Sequence, residues 1–279
     1  MRTQQEFMGT IHDFAKLHEK IRVVTIEGSR TNVNVPKDEF QDFDITFFVT
    51  DMNSFLSNDE WLACFGKILI LQKPENMVLF PSEEKGFSYL MMFDDYLKMD
   101  LTLLPLEEWN EYLLREPLAE ILLDKDGIVK VNVVPSDESF HVKKPTEREF
   151  DDCCNEFWFV TTYVVKGLCR KEILFANHHM DQILRRELLR MISWKVGIET
   201  NFSLSVGKHY KYLDQYVSKE LWDKLLSTYV IDSYENVWKS LLTCNELFRR
   251  VSREVAEKLK FFYPDYDRNV SGYVKDMEQ

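Results

Sequence analysis

Apolar residues at 7, 11, 14, 15 and 17 recur at helical spacing and predict a first helix ending near His18. A short β-branched run at 21–26 follows, closed by Gly28-Ser29, and predicts a strand. The runs at 43–50, 67–71, 87–93 and 99–104 read as strands too. Between them, 54–65 has a helical pattern, with Asn53 or Ser54 as its N-cap. Pro105-Leu106-Glu107-Glu108 opens another helix, since Pro suits a first turn and acids suit the positive end of the helix dipole.

From residue 146 the pattern is helical almost throughout. Thr146-Glu147-Arg148-Glu149 has the form of a capping box, and a long helix runs from it past Trp158 to Leu168. Helices at 171–196, 210–216, 219–229 and 234–260 complete the set. The change of period falls in a polar, Pro-bounded stretch from Val134-Pro135 to Lys144-Pro145, which predicts domains at 1–145 and 146–279. The expected fold class is α+β: a small mixed β-sheet domain with flanking helices, followed by an all-α helical bundle.

Composition narrows the class. With 279 residues, 45% of them hydrophobic, each domain can bury a core. Only 9 Gly and 8 Pro exclude collagen-like and Pro/Gly-rich disordered chains. The net charge is −12, and the excess is lopsided: residues 1–145 hold 15 basic and 26 acidic side chains, the remainder 20 and 21. A nucleic-acid partner needs a basic surface, so none is expected; a cationic ligand fits better, and a solvated acidic surface fits as well. Five cysteines without a C-x-x-C pair, no signal-peptide pattern and no apolar run of the ~20 residues that span a bilayer predict a reduced, cytoplasmic protein. No membrane and no obligate protein partner is expected.

The chemistry is concentrated in the first half. In a strand, residues i and i+2 share a face ~7 Å apart. Asp42, Asp44 and Thr46 therefore face one way, while Phe43, Ile45 and Phe47 face the core. Paired carboxylates repel unless a cation lies between them, and hard oxygen ligands at this spacing suit Mg²⁺. Asp100 alternates with Met99, Leu101 and Leu103 in the same manner, so a neighbouring strand would bring three carboxylates together. Gly28 permits a sharp turn after a strand, where Ser29, backbone amides and Arg30 can cradle phosphate oxygens. It is neither a Walker loop nor a G-x-G-x-x-G turn. His178-His179 has no ligand spacing, and no nucleophile elbow is present.

Gly-Ser, a spacer, Asp-x-Asp on a strand and a later strand acid resemble the signature of DNA polymerase β-like nucleotidyltransferases. Within them, Ile26-Glu27-Gly28-Ser29-Arg30-Thr31-Asn32, Lys37 through Asp44 and Met99-Asp100-Leu101-Thr102-Leu103 look like the aminoglycoside 6-adenylyltransferases. The resemblance continues through 149–158 and 187–195 to Tyr263-Pro264-Asp265-Tyr266, and Glu27 is a departure that leaves the three aspartates untouched. It implies AMP transfer from ATP to the 6-hydroxyl of streptomycin. It also implies two Mg²⁺ held by Asp42, Asp44 and Asp100, the last also taking the hydroxyl's proton, and phosphates held by Gly28, Ser29 and Arg30. Lys208 would meet the triphosphate and Tyr229 would stack on adenine. Asp151, Asp152, Glu156 and Trp158 would face the dicationic drug, although the three acids equally fit a solvated helix face. The same fold could instead serve another antibiotic, a protein hydroxyl or nucleotide binding without turnover.

Overall fold

A computed structural model describes every residue except Met1, Glu84 and Gln279. The chain divides into two compact units, Met1–Ser139 and Phe140–Gln279. None of the described helices is long and apolar enough to cross a membrane.

The first unit is a six-stranded sheet. Its strands are β1 (Ile21–Glu27), β2 (Phe43–Val49), β3 (Ile68–Gln72), β4 (Phe87–Phe93), β5 (Lys98–Pro105) and β6 (Glu120–Asp124), in spatial order β3-β4-β5-β2-β1-β6. The central β2–β5 pair is parallel and the others are antiparallel. Strict alternation along β2 sends Phe43, Ile45 and Phe47 to one face, where they pack on Phe7 and Ile11 of α1 (Gln4–Leu17). Thr3 and Glu6 close a capping box at the start of α1. Phe48 of β2 faces the other way with Val23 and Leu104, under Trp109 and Tyr112 of α3 (Trp109–Arg115). The same face carries Asp44, Thr46, Asp100 and Thr102, which are neighbours in the β2–β5 register. Residues expected as one helix at 54–65 form a single turn of α2 (Asn53–Leu56) and a separate 3₁₀ segment, Glu60–Phe65.

The second unit is helical. Its long helix α4 (Glu147–Cys169) begins at the capping box read from the sequence: Thr146 N donates to Glu149 Oε2 at 2.7 Å and Glu149 N to Thr146 Oγ1 at 3.2 Å. Next come α5 (Ile173–His179), a π-helical segment at Met180–Leu184, and α6 (Arg185–Glu199), where the sequence predicted one helix. Residues 210–216 hold only 3₁₀ turns. Then follow α7 (Lys219–Ser227), α8 (Tyr234–Leu259) and α9 (Tyr266–Met277). The core of the bundle includes Phe157 of α4 stacked on Phe248 of α8, with ring centroids 3.7 Å apart.

Candidate active site

β1 ends in a 3₁₀ turn, Gly28–Arg30. Gly28 has φ +74°, and a Cβ there would lie 2.4 Å from Asp44 Oδ2, so only glycine lets the turn press against that carboxylate. The turn is braced from below. Lys37 Nζ and Gln41 Nε2 donate to the Ser29 carbonyl at 2.7 and 2.9 Å. Arg30 donates to the carbonyls of Asp42 and Gln41 at 2.7 and 2.5 Å, and its guanidinium lies 3.6 Å from the centre of the Phe43 ring. Expected to reach for phosphates, Arg30 is thus engaged in fixing the start of β2.

Asp44 and Asp100 are register partners on β2 and β5, and Asp42 precedes Asp44 by two residues. Lys98 stands among them. Its ammonium donates to Asp42 Oδ2 at 2.6 Å and to Asp100 Oδ2 at 3.0 Å. Burial alone would lower the lysine's proton affinity; the two carboxylates outweigh it and hold the pKa above the usual value. Burial, then the charges of Asp100 and Asp42, push Asp44 up to about 6. Asp100 Oδ1 is buried and has no hydrogen-bond partner among the described residues.

Among those residues, no three acids, histidines or cysteines stand ready-made around a point that could hold a metal. The donor set nonetheless fits a hard cation. An ammonium already bridges two of the three carboxylates, a third repels both, and one buried oxygen has no donor.

A fourth acid, Glu27, belongs to this face. Its Oε1 accepts from Thr46 Oγ1 at 2.7 Å, and its Oε2 from Tyr112 Oη at 2.9 Å and Thr25 Oγ1 at 3.1 Å. Burial, opposed by these hydroxyls, pushes it up to about 7. In the sequence Glu27 stands only as a departure from the family's pattern, and no motif singles out Lys98. Lys98 was nonetheless findable by the alternation that found the aspartates, because Lys98 and Asp100 share a face. Glu27 had no such signal, since the partner that gives it meaning, Tyr112, comes from α3.

The candidates of the helical unit have separate surroundings. Lys208 is exposed, between Gly207 at φ +76° and His209 at φ +55°. Tyr229 is 50% exposed, with the Arg185 guanidinium 3.9 Å from its ring centre. On α4, Asp152 is exposed and paired with Arg148 at 2.9 Å, Glu156 is exposed and Asp151 half-buried. Trp158 requires a correction. It is 1% exposed, locked in the core beside Phe157 and Phe248, and presents no face to a ligand.

The family model described as streptomycin adenylyltransferase matches residues 1–277. The chain belongs to the streptomycin adenylyltransferase family. It is similar to an aminoglycoside 6-adenylyltransferase of Campylobacter jejuni, with 59% identity covering 98% of this chain and 95% of the relative. A second relative of that description, from Bacillus subtilis (strain 168), is 50% identical over 99% and 98% of the two chains. One from Staphylococcus aureus is 44% identical over 99% of each. Among solved structures, an aminoglycoside 6-adenyltransferase from Bacillus subtilis aligns at TM-score 0.50 and 45% identity, covering 100% of this chain and 99% of that one. Family membership thus accounts for the α+β fold, with its mixed sheet and helical second half.

Proposed function

We propose that this protein transfers AMP from ATP to the 6-hydroxyl of streptomycin, releasing pyrophosphate and inactivating the drug. The carrying observation is the acid face of the sheet: Asp44 and Asp100 side by side, Asp42 two residues away, and the Gly28–Ser29 turn against Asp44. The names of the relatives support the acceptor class.

Asp42, Asp44 and Asp100 would hold two Mg²⁺, which would neutralise phosphate charge and stabilise the leaving pyrophosphate. The Ser29 hydroxyl and the amides of its turn orient the phosphates. Arg30 keeps that turn and the start of β2 in place. Asp100 takes the proton from the acceptor hydroxyl. As it does so, a bond forms from that oxygen to the α-phosphorus, and the bond to the bridging oxygen of pyrophosphate breaks. In this reading residues 1–145 carry out the transfer. Residues 146–279 contribute Lys208 and Tyr229 to the nucleotide, and Asp151, Asp152 and Glu156 to the cationic drug. No nucleic acid takes part.

Mass spectrometry of streptomycin after incubation with ATP, Mg²⁺ and the protein tests the acceptor and the reaction together. A gain of one AMP is the expected result; unmodified drug overturns the acceptor. Asp100→Asn tests the proton's path. An amide does not accept that proton, so the variant retains ATP binding and loses ~10²–10⁴ in single-turnover rate, unrecovered by high Mg²⁺. Recovery to the wild-type rate would make Asp100 a metal ligand alone.

A further inference from the structure

The reaction just described gives Glu27 no task. Its Cα is paired with that of Asp44 across β1 and β2, so it stands on the acid face of the sheet. Three hydroxyls, from Thr25, Thr46 and Tyr112, fix both carboxylate oxygens. Among the described residues no Lys, Arg or His pairs with it. Burying a carboxylate without a counter-cation is costly, and the cost is relieved by a proton or by a cation arriving from outside.

There is room for one. Glu27 lies on the wall of a cavity of about 300 Å³, with Thr46, Thr102, Tyr112, Arg115 and Glu116 among its other walls. Lys85 borders it too, but donates to Glu108 and Glu111 at 2.8 and 2.5 Å. Thr46 and Thr102 are register partners two residues beyond Asp44 and Asp100. The cavity therefore begins ~7 Å along the strands from the acids proposed to hold metal.

We propose that this cavity is the subsite for the guanidinium next to the acceptor's reacting hydroxyl, with Glu27 as its counter-charge. The inference rests on streptomycin being the acceptor. There the 6-hydroxyl stands on a ring carbon adjacent to one bearing a guanidinium. A site that brings this hydroxyl to Asp100 must therefore house a cation one ring position away. A planar guanidinium has enough N–H donors to bond a carboxylate and neighbouring hydroxyl oxygens at once. Glu27 thus favours a guanidinium over a neutral substituent at that ring position.

Isothermal titration of the full chain with streptomycin tests this, with ATP and Mg²⁺ as a separate control ligand. Glu27→Gln keeps the size of the side chain and removes its charge. It should weaken streptomycin ~10-fold or more, as expected for losing a charge-assisted contact, and leave the ATP affinity within about twofold. The preference for streptidine, the diguanidino ring alone, over neutral scyllo-inositol should shrink with it. Thr102→Leu fills the cavity while Glu27 stays, and covers the case in which Glu27→Gln does not fold; it should weaken streptomycin with ATP binding intact. If the wild type transfers AMP to streptomycin and the folded variants bind the drug as tightly as it does, the subsite is wrong. If the wild type transfers none, the acceptor assignment has failed and the subsite falls with it.

Discussion

Lys98 does for Asp42 and Asp100 what a bound metal would otherwise do: it places positive charge between carboxylates that repel. Its removal should therefore be felt most when metal is absent. Lys98→Met should lower the thermal midpoint in EDTA, and added Mg²⁺ should raise the midpoint of the variant more than that of the wild type. An equal Mg²⁺ response in the two proteins would show that the ammonium and the metal do not share a place. Glu27 gives a second prediction, in pH. Its folded pKa of about 7 lies above the ordinary 4.5, so the folded state binds the proton more tightly than the unfolded chain. Stability then falls as pH rises from about 4.5 to about 7 and levels off above. Asp44, raised to about 6, adds to the same slope. Metal-free melting curves across this range should show that decline, and Glu27→Gln should flatten it. Asp44 and Asp100 were legible in the sequence because each interrupts an apolar strand at strict alternation, and Asp42 because it stands two residues before Asp44, just ahead of β2. Glu27 was not, because its meaning depends on Tyr112, 85 residues away in the chain, and on which face α3 covers.

The same division between local and distant causes holds for whole elements. Elements with a local signal were readable, among them α1, the five longer or more apolar strands, and α4 with its capping box. The edge strand β6 has five residues and a single partner in β1, so most of its definition comes from that pairing. The π-helical segment at Met180–Leu184 leaves the apolar pattern of a helix intact and breaks only the backbone hydrogen bonding, which no sequence period reveals. Helix α9 was missed for another reason. It is largely polar, and besides Val274 and the partly buried Tyr266, Val270 and Tyr273 it holds to the bundle through a buried acid, Asp267, which accepts from Arg249 Nε at 2.9 Å and from an Arg253 terminal nitrogen at 3.1 Å. Asp267→Ala would leave two arginines facing a hole. The expected loss is on the order of 2–3 kcal/mol, below that of a fully buried pair because the arginines keep part of their hydration. Chemical denaturation of the variant measures it. An unchanged midpoint would mean that α9 is held by Val274 and its apolar neighbours instead.

Across the whole molecule, charge is the property that no single contact expresses. The net −12 lies mostly within the first 145 residues, which also contain the acid face of the sheet. A field of that sign draws a dicationic acceptor toward the protein and opposes the approach of nucleotide phosphates. Both effects are long-range, so salt screens them, with a Debye length falling from ~30 Å at 0.01 M to ~3 Å at 1 M. Contacts made after binding are screened far less. Raising NaCl from roughly 20 to 500 mM should therefore lower kcat/KM for streptomycin several-fold or more, while kcat at saturation changes little. The KM for ATP should hold steady or fall over the same range, because screening removes repulsion there. The opposite signs for the two substrates separate steering from a general salt effect on the fold, which would move both in one direction. If kcat/KM falls for streptomycin and for ATP together, the acid excess is a solvated surface with no part in drawing the drug in, and recognition of the cation rests on short-range groups such as Glu27.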